Sequence, residues 1–311
     1  MDAIDERDMT SESFEPYRRR LLGLAYRMLG SMADAEDAVQ ETYLRWHAAD
    51  RDNVSDPRAF LMTTTTRICL DMLTSARARH EEYIGPWLPE PVLDTAALAP
   101  DKRTELAEDL SIALLLTLDR LSPLERAAFL LHDVFDFSFT EVAATLERNE
   151  AACRKLATRA RAHVRALRPR GAAEPSARPG EIDAKHAQLM SAFAAATQSG
   201  DLNALTHLLA SDVRIVTDGG GKVRAALNVV KGADKAARFL VGAGARHKRA
   251  DAWWREDFRP RFGVVNGLPA IIVEGSEGAV QTAAFEIEGD VIRAVYVVRN
   301  PEKLRHLAIL R

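Results

Sequence analysis

A chain of 311 residues, 47% hydrophobic and 28% charged, is long enough for two or three compact globular units. Its formal net charge of -3 excludes a uniformly basic nucleic-acid coat, so any DNA contact must come from local patches. The acidic start MDAIDERDMTSES lacks a secretory pattern, and the longest apolar run, around Leu110 to Leu118, is too short to cross a bilayer.

Residues 14–80 read as helical throughout. Phe14, Tyr17, Leu21, Leu24 and Met28 make an apolar stripe at helical spacing, and Gly30 stops it. Ser31 and Asp34 then form a capping signal for a second helix. Its core face is Ala35, Ala38, Val39, Thr42 and Trp46, and its other face carries Asp34, Asp37, Gln40, Glu41 and Leu44. Asp56 caps a third helix with Pro57 in its first turn. There Phe60, Leu61, Ile68 and Met72 are expected inside, and Thr63, Thr66, Arg67, Thr74 and Arg77 on the opposite side.

Residues 81–108 form a Pro-containing linker with YIGPWLPEP at 83–91, and helices resume over 109–168. Leu110, Leu114, Leu118 and Leu121 give one amphipathic helix. Ser122-Pro123-x-Glu125 and Ser138-x-x-Glu141 are capping boxes that open the next two. After a tight turn at Glu147-Arg148, Asn149 caps a longer helix that buries Cys153, Leu156, Ala157, Ala160, Val164 and Leu167. A short helix, a tight turn and a longer basic helix is the helix-turn-helix plan. The exposed side of the longer helix carries Arg154, Lys155, Thr158, Arg159, Arg161 and Arg165, groups that hydrogen-bond phosphates and reach base edges.

A Pro/Gly/Ala-rich joint at 169–181 leads into a mixed region at 182–311. Two helices come first. The period then falls to two at Val213, Ile215 and Thr217, and Asn266-Gly267 and Glu288-Gly289-Asp290 read as hairpin turns. Helices followed by an antiparallel sheet predict an α+β domain. The two cysteines, Cys69 and Cys153, lie in helical patterns without CxxC spacing, so reduced buried thiols, no metal and no cofactor are expected.

Helical units in this order resemble a known family. LSPLERAAFLLHDVFDFSFTEVAATLERNEAACRKLATRARAHV (121–164) looks like domain four of extracytoplasmic-function sigma factors of bacterial RNA polymerase. DAEDAVQETYLRWH (34–47) and DPRAFLMTTTTRICLDML (56–73) are similar to their domain two. WLPEP in the linker, DGGGK (218–222) and NPEKL (300–304) resemble the subgroup with a fused SnoaL-like domain. The resemblance implies a multidomain chain: two all-α sigma domains, the second a helix-turn-helix, and a C-terminal α+β SnoaL-like cone.

It also implies a cytoplasmic transcription initiation factor that binds core RNA polymerase and promoter DNA, without membrane contact. Asp34, Asp37, Gln40, Glu41 and Leu44 match the segment that docks on polymerase. Thr63, Arg67 and Arg77 lie on the helix that meets the minus-ten element, and Arg67 stands where many relatives carry Asn. Asn149, Arg154, Lys155, Thr158, Arg159 and Arg161 fall on the helix that meets the minus-thirty-five element.

Trp87, Leu88, Pro89, Glu90 and Pro91 read either as a rigid spacer or as an apolar anchor. Asp218, Gly219, Gly220, Gly221 and Lys222 read as a hairpin tip or as an interdomain contact, with Lys222 toward the acidic linker around Glu90. Together with Asn300 and Pro301 they form the expected regulatory contact. No catalytic residue is assigned. His247, Asp251, Asp212 and Glu286 are pocket candidates, with Trp253 and Trp254 as walls, but no spacing pairs a base with an orienting group. A SnoaL-like enzyme, or a sensor of an unknown small ligand, fused to a helix-turn-helix module remains the alternative.

Overall fold

The computed structural model describes residues 3–50, 53–81, 83–93, 111–167, 182–245, 259–276 and 278–307. The chain divides into two compact units, Met1–Glu82 with Thr95–Arg168, and Tyr83–Asp94 with Pro169–Arg311.

The first unit is helical. Helix α1 (Ala3–Leu29) starts upstream of residue 14, with Pro16 inside it, and Gly30 leaves it at φ 70°. Leu21, Leu24 and Met28 are fully buried. In α2 (Met32–Ala48) the Ser31 side chain accepts from the Asp34 amide at 3.1 Å, and in α3 (Pro57–Glu81) Asp56 accepts from the Ala59 amide at 3.1 Å. The Thr42 and Thr65 hydroxyls, 3.0 Å apart, tie α2 to α3 inside the core. One expectation is corrected here. Thr66 is buried, not on an exposed face, and Phe60 and Met72 are only half-buried. Thr66 tolerates this because its hydroxyl donates to the Met62 carbonyl one turn back, at 2.7 Å.

Among the described residues four further helices follow: α4 (Ile112–Asp119), α5 (Pro123–Phe129), α6 (Phe139–Leu146) and α7 (Glu150–Leu167). Both capping boxes form, Ser122 with Glu125 and Ser138 with Glu141. A wide π turn (Leu130–Val134) prolongs α5 and delivers Phe135 and Phe137 into the core around Asp136, at φ 63°. Cys69 and Cys153 are buried free thiols, and burial pushes both upward from the ordinary thiol range.

In the second unit, α8 (Ala184–Ser199), α9 (Leu202–Leu208) and α10 (Ala233–Ala245) pack on one face of a six-stranded sheet. Its strands are β1 (Leu209–Asp218), β2 (Val230–Lys231), β3 (Arg259–Val265), β4 (Leu268–Gly275), β5 (Gly278–Glu288) and β6 (Val291–Val298), in the order β2-β1-β6-β5-β4-β3. Asn266 and Gly267, at φ 49° and 73°, make the two-residue turn between β3 and β4. The sheet is mixed, which corrects the antiparallel expectation: β1 runs parallel to β6, with Ile215 beside Val295. The connection from β1 to β6 takes in α10 and four strands, so nothing local in the sequence announces that pairing. A last short helix, α11 (Pro301–Leu304), leaves β6 with Asn300 as its cap.

Candidate functional site

The helix-turn-helix is α6 and α7. Glu147 closes α6 in the left-handed region (φ 54°), and the Asn149 side chain accepts from the Ala152 amide at 2.8 Å to open α7. Cys153, Ala157, Ala160 and Val164 form its buried stripe. Lys155, Thr158, Arg159 and Arg165 lie on the exposed side. Arg154 is also exposed but partly engaged, pairing with Glu150 at 3.0 Å and lying 4.5 Å over the Phe139 ring. Arg161 faces inward: its guanidinium meets Asp133 on the π turn at 2.7 Å.

Helix α3 meets this motif within the same unit. The Thr63 and Thr145 hydroxyls are 2.9 Å apart. Arg67 donates to the Thr145 carbonyl at 3.1 Å and the Ala144 carbonyl at 3.2 Å, and pairs with Glu147 at 3.1 Å. Two further guanidiniums converge on one backbone oxygen: Arg20 and Arg58 donate to the Phe135 carbonyl at 2.8 and 3.0 Å. The Arg58 guanidinium also sits 5.0 Å from the Phe137 ring. Arg126, buried, donates to the Met28 carbonyl and to Asp119, and burial lowers its pKa from the ordinary arginine value. The sequence reading missed Arg20, Arg58 and the Phe135 carbonyl, because a backbone acceptor has no residue signature. Thr63 and Arg67 thus contact the helix-turn-helix, and the Arg77 side chain lies outside the described residues.

On α2, Asp37, Gln40 and Leu44 are exposed, and Asp34 and Glu41 half-exposed, along one side of the helix. Leu44 keeps 52% of its surface in water amid this polar face. Glu41 pairs with Arg45 at 2.9 Å.

In the second unit the linker segment 83–93 is tied down around one buried carboxylate. Asp218, fully buried at the end of β1, accepts from the Tyr83 hydroxyl at 2.5 Å, the Gly220 amide at 3.1 Å, the Leu88 amide at 2.8 Å and Lys303 Nζ at 2.8 Å. Lys303 also donates to the Leu88 carbonyl at 2.5 Å and lies 4.3 Å from the Trp87 ring. Burying two charges is costly, and the full set of hydrogen bonds is what offsets it. Burial and the adjacent Asp218 carboxylate push the Tyr83 phenol upward, so it stays a donor. Asn300 Nδ2 donates to the Tyr83 oxygen at 3.0 Å. Gly220 and Gly221 stand at φ 58° and 71°, where added Cβ atoms would collide with Asn300 and Ile84.

Leu88, Pro89, Glu90 and Pro91 are buried, and Trp87 is half-buried. Val92 exchanges two hydrogen bonds with Asn266, and His306 meets the Pro91 carbonyl at 2.7 Å. Lys222 does not reach Glu90; it pairs with Glu302, whose carboxyl that bond holds below its usual range. Lys303 is the cation that meets the linker, and His306 lies 3.8 Å from Glu90. Pro301 opens α11 beside this cluster. Of the pocket candidates, Asp212 lies near Arg293 (3.5 Å) and Glu286 accepts from the Tyr296 hydroxyl at 2.9 Å. His247, Asp251, Trp253 and Trp254 fall outside the described residues.

Two family models match the helical regions: Sigma-70 region 2 over residues 14–79, and Sigma-70, region 4 over residues 111–164. The chain is similar over almost its whole length to ECF RNA polymerase sigma factor SigJ of Mycobacterium tuberculosis, 42% identical across 95% of this chain and 93% of that one. It is also similar to the probable ECF RNA polymerase sigma factor SigI of the same organism, 30% identical across 97% of both. The crystal structure of M. tuberculosis SigJ superposes with a TM-score of 0.68 at 33% identity, covering 94% of this chain and 97% of that one. With two sigma-70 regions in this order and relatives of this identity matched nearly end to end, the chain belongs to the extracytoplasmic-function sigma factors of RNA polymerase.

Proposed function

We propose that this chain directs core RNA polymerase to specific promoters in the cytoplasm and helps to open them. In this reading Asp34, Asp37, Gln40, Glu41 and Leu44 of α2 dock on polymerase. Helix α3, through Thr63, Arg67 and Arg77, meets the minus-ten element. Helix α7 enters the major groove at the minus-thirty-five element, where Lys155 and Arg159 reach base edges and phosphates, and Asn149 leaves amides at the helix start for a phosphate. The observation that carries the reading is the exposed basic side of α7 on a capped helix-turn-helix, in a chain matched along its length by sigma factors. The C-terminal unit regulates this activity in cis by holding the linker through Asp218 and Lys303, and we assign it no catalytic step. Run-off transcription with purified chain, core polymerase and a cognate promoter tests the proposal: a promoter-specific start supports it, and no transcript refutes it.

The contacts of Thr63 and Arg67 support a second element of this reading. Side chains that hold the helix-turn-helix are not available to a DNA strand, so α3 and α6 must part before α3 meets the minus-ten element.

A further inference from the structure

Within the C-terminal unit, the face of the sheet that meets α8 and α10 encloses a cavity of about 790 Å³. That volume falls in the range of small-molecule sites. Strand alternation builds its floor: Ile271 and Val273, Ala283 and Phe285, Val295 and Val297 come from three adjacent strands in register. Phe193 of α8 and Phe239 of α10 supply aromatic walls.

Polar side chains interrupt this lining at Thr197, Gln198, Thr217 and Gln281, and one of them is buried with an unpaired oxygen. Gln281, 5% exposed, sits on β5 opposite Val273, and its Oε1 has no hydrogen-bond partner among the described residues. A buried amide is normally satisfied, so its place in the lining points to a polar group brought by an occupant. Two of the cavity's lining cations are matched, Lys222 by Glu302 and Arg261 by Glu274, and Arg299 donates to the Arg224 carbonyl, so the apolar floor sets the occupant's character. Ile84, Gly219, Gly221 and Lys222 line the same cavity, and they belong to the linker segment and the glycine tip that contact each other around Asp218.

We propose that this cavity binds an uncharged, largely apolar small molecule through a hydroxyl hydrogen-bonded to Gln281, and that occupancy braces the linker against the glycine tip. The bracing rests on the cis-regulation reading; the binding does not.

The test uses the full-length chain with two probes, 2-naphthol and naphthalene, which share a ring system and differ in the hydroxyl. Calorimetry should give tighter binding of 2-naphthol by about tenfold, because a site built to hydrogen-bond a hydroxyl rejects the analogue lacking it. Gln281→Leu should abolish that preference while leaving naphthalene affinity within about twofold. Ala283→Phe, which puts a ring into the cavity, should remove binding of both. Should that variant fail to fold by circular dichroism, the Gln281→Leu comparison still decides. No binding of either probe, or an undiminished hydroxyl preference in Gln281→Leu, overturns the site. In hydrogen exchange, 2-naphthol should raise protection of the Leu88 and Val92 amides at least severalfold; unchanged protection with normal binding overturns the bracing. None of these readouts involves polymerase, so a failed run-off assay would bear on the sigma-factor reading alone.

Discussion

Thr63 of α3 and Thr145 of α6 place their hydroxyls 2.9 Å apart, so the helix assigned to the minus-ten element touches the helix-turn-helix directly. Arg67 reinforces the contact through two carbonyls and Glu147. Thr145→Val keeps the shape and volume but removes one hydroxyl, and should weaken the latch by about 1 kcal/mol. Fluorescence transfer between labels on α2 and α7 should show a larger open population, and transcription at limiting polymerase should rise. An unchanged distance distribution would argue that this contact does not hold the closed form.

On α7 the basic residues should separate into two classes. Lys155→Ala should weaken promoter binding and flatten its salt dependence if it meets phosphate, or cost about 1–3 kcal/mol at one base position if it reads sequence. Arg161→Ala should act on folding instead, because it leaves the half-buried Asp133 carboxylate without its guanidinium. Thermal melting of both variants beside footprinting distinguishes the classes. A stable Arg161→Ala variant with a lost footprint would move Arg161 into the DNA-contacting set.

The face of α2 should act on polymerase alone. Asp37→Lys with Gln40→Lys should impair pull-down of core enzyme through mismatched charge, while exposed substitutions shift stability by about 0.5 kcal/mol or less. Normal pull-down by the folded double variant would remove this face from the docking surface.

Around Asp218, losing either charge should be severe. Lys303→Met leaves a fully buried carboxylate without its cation, a change that typically costs about 3–5 kcal/mol. Tyr83→Phe removes one donor and should cost about 1–2 kcal/mol by the same unfolding measurement. Equal, small effects from both would mean that the ion pair is far weaker than its burial suggests.

What could be read from the residues was local. Ser122 with Glu125, Ser138 with Glu141, and Asn266-Gly267 announce themselves because cap and turn chemistry acts over two to four positions. The exposed stripe of α7 is visible for the same reason: its buried partners recur at helical spacing. Lys303 was not legible, since a lysine in a short polar helix reads as solvated until β1 brings Asp218 beneath it. The parallel pairing of β1 with β6 was hidden likewise, and so was the inward turn of Arg161. Each depends on a partner that only the folded chain brings near, in β1 with β6 across most of the domain.

The Leu88 carbonyl and Lys303 Nζ are 215 positions apart in sequence. A ribosome adding about 5–20 residues each second needs on the order of ten to forty seconds to travel that far. During that interval both sigma regions have emerged or are emerging, while the linker between them waits first for Asp218, then for Asn266 and last for Lys303. Under the proposed cis-regulation, a newborn chain passes through a stage in which its DNA-binding half is complete but the restraint on it is still unwritten. On that proposal, slower synthesis of the C-terminal unit would lengthen the stage, and the speed of translation becomes an input to how much unrestrained factor a cell contains.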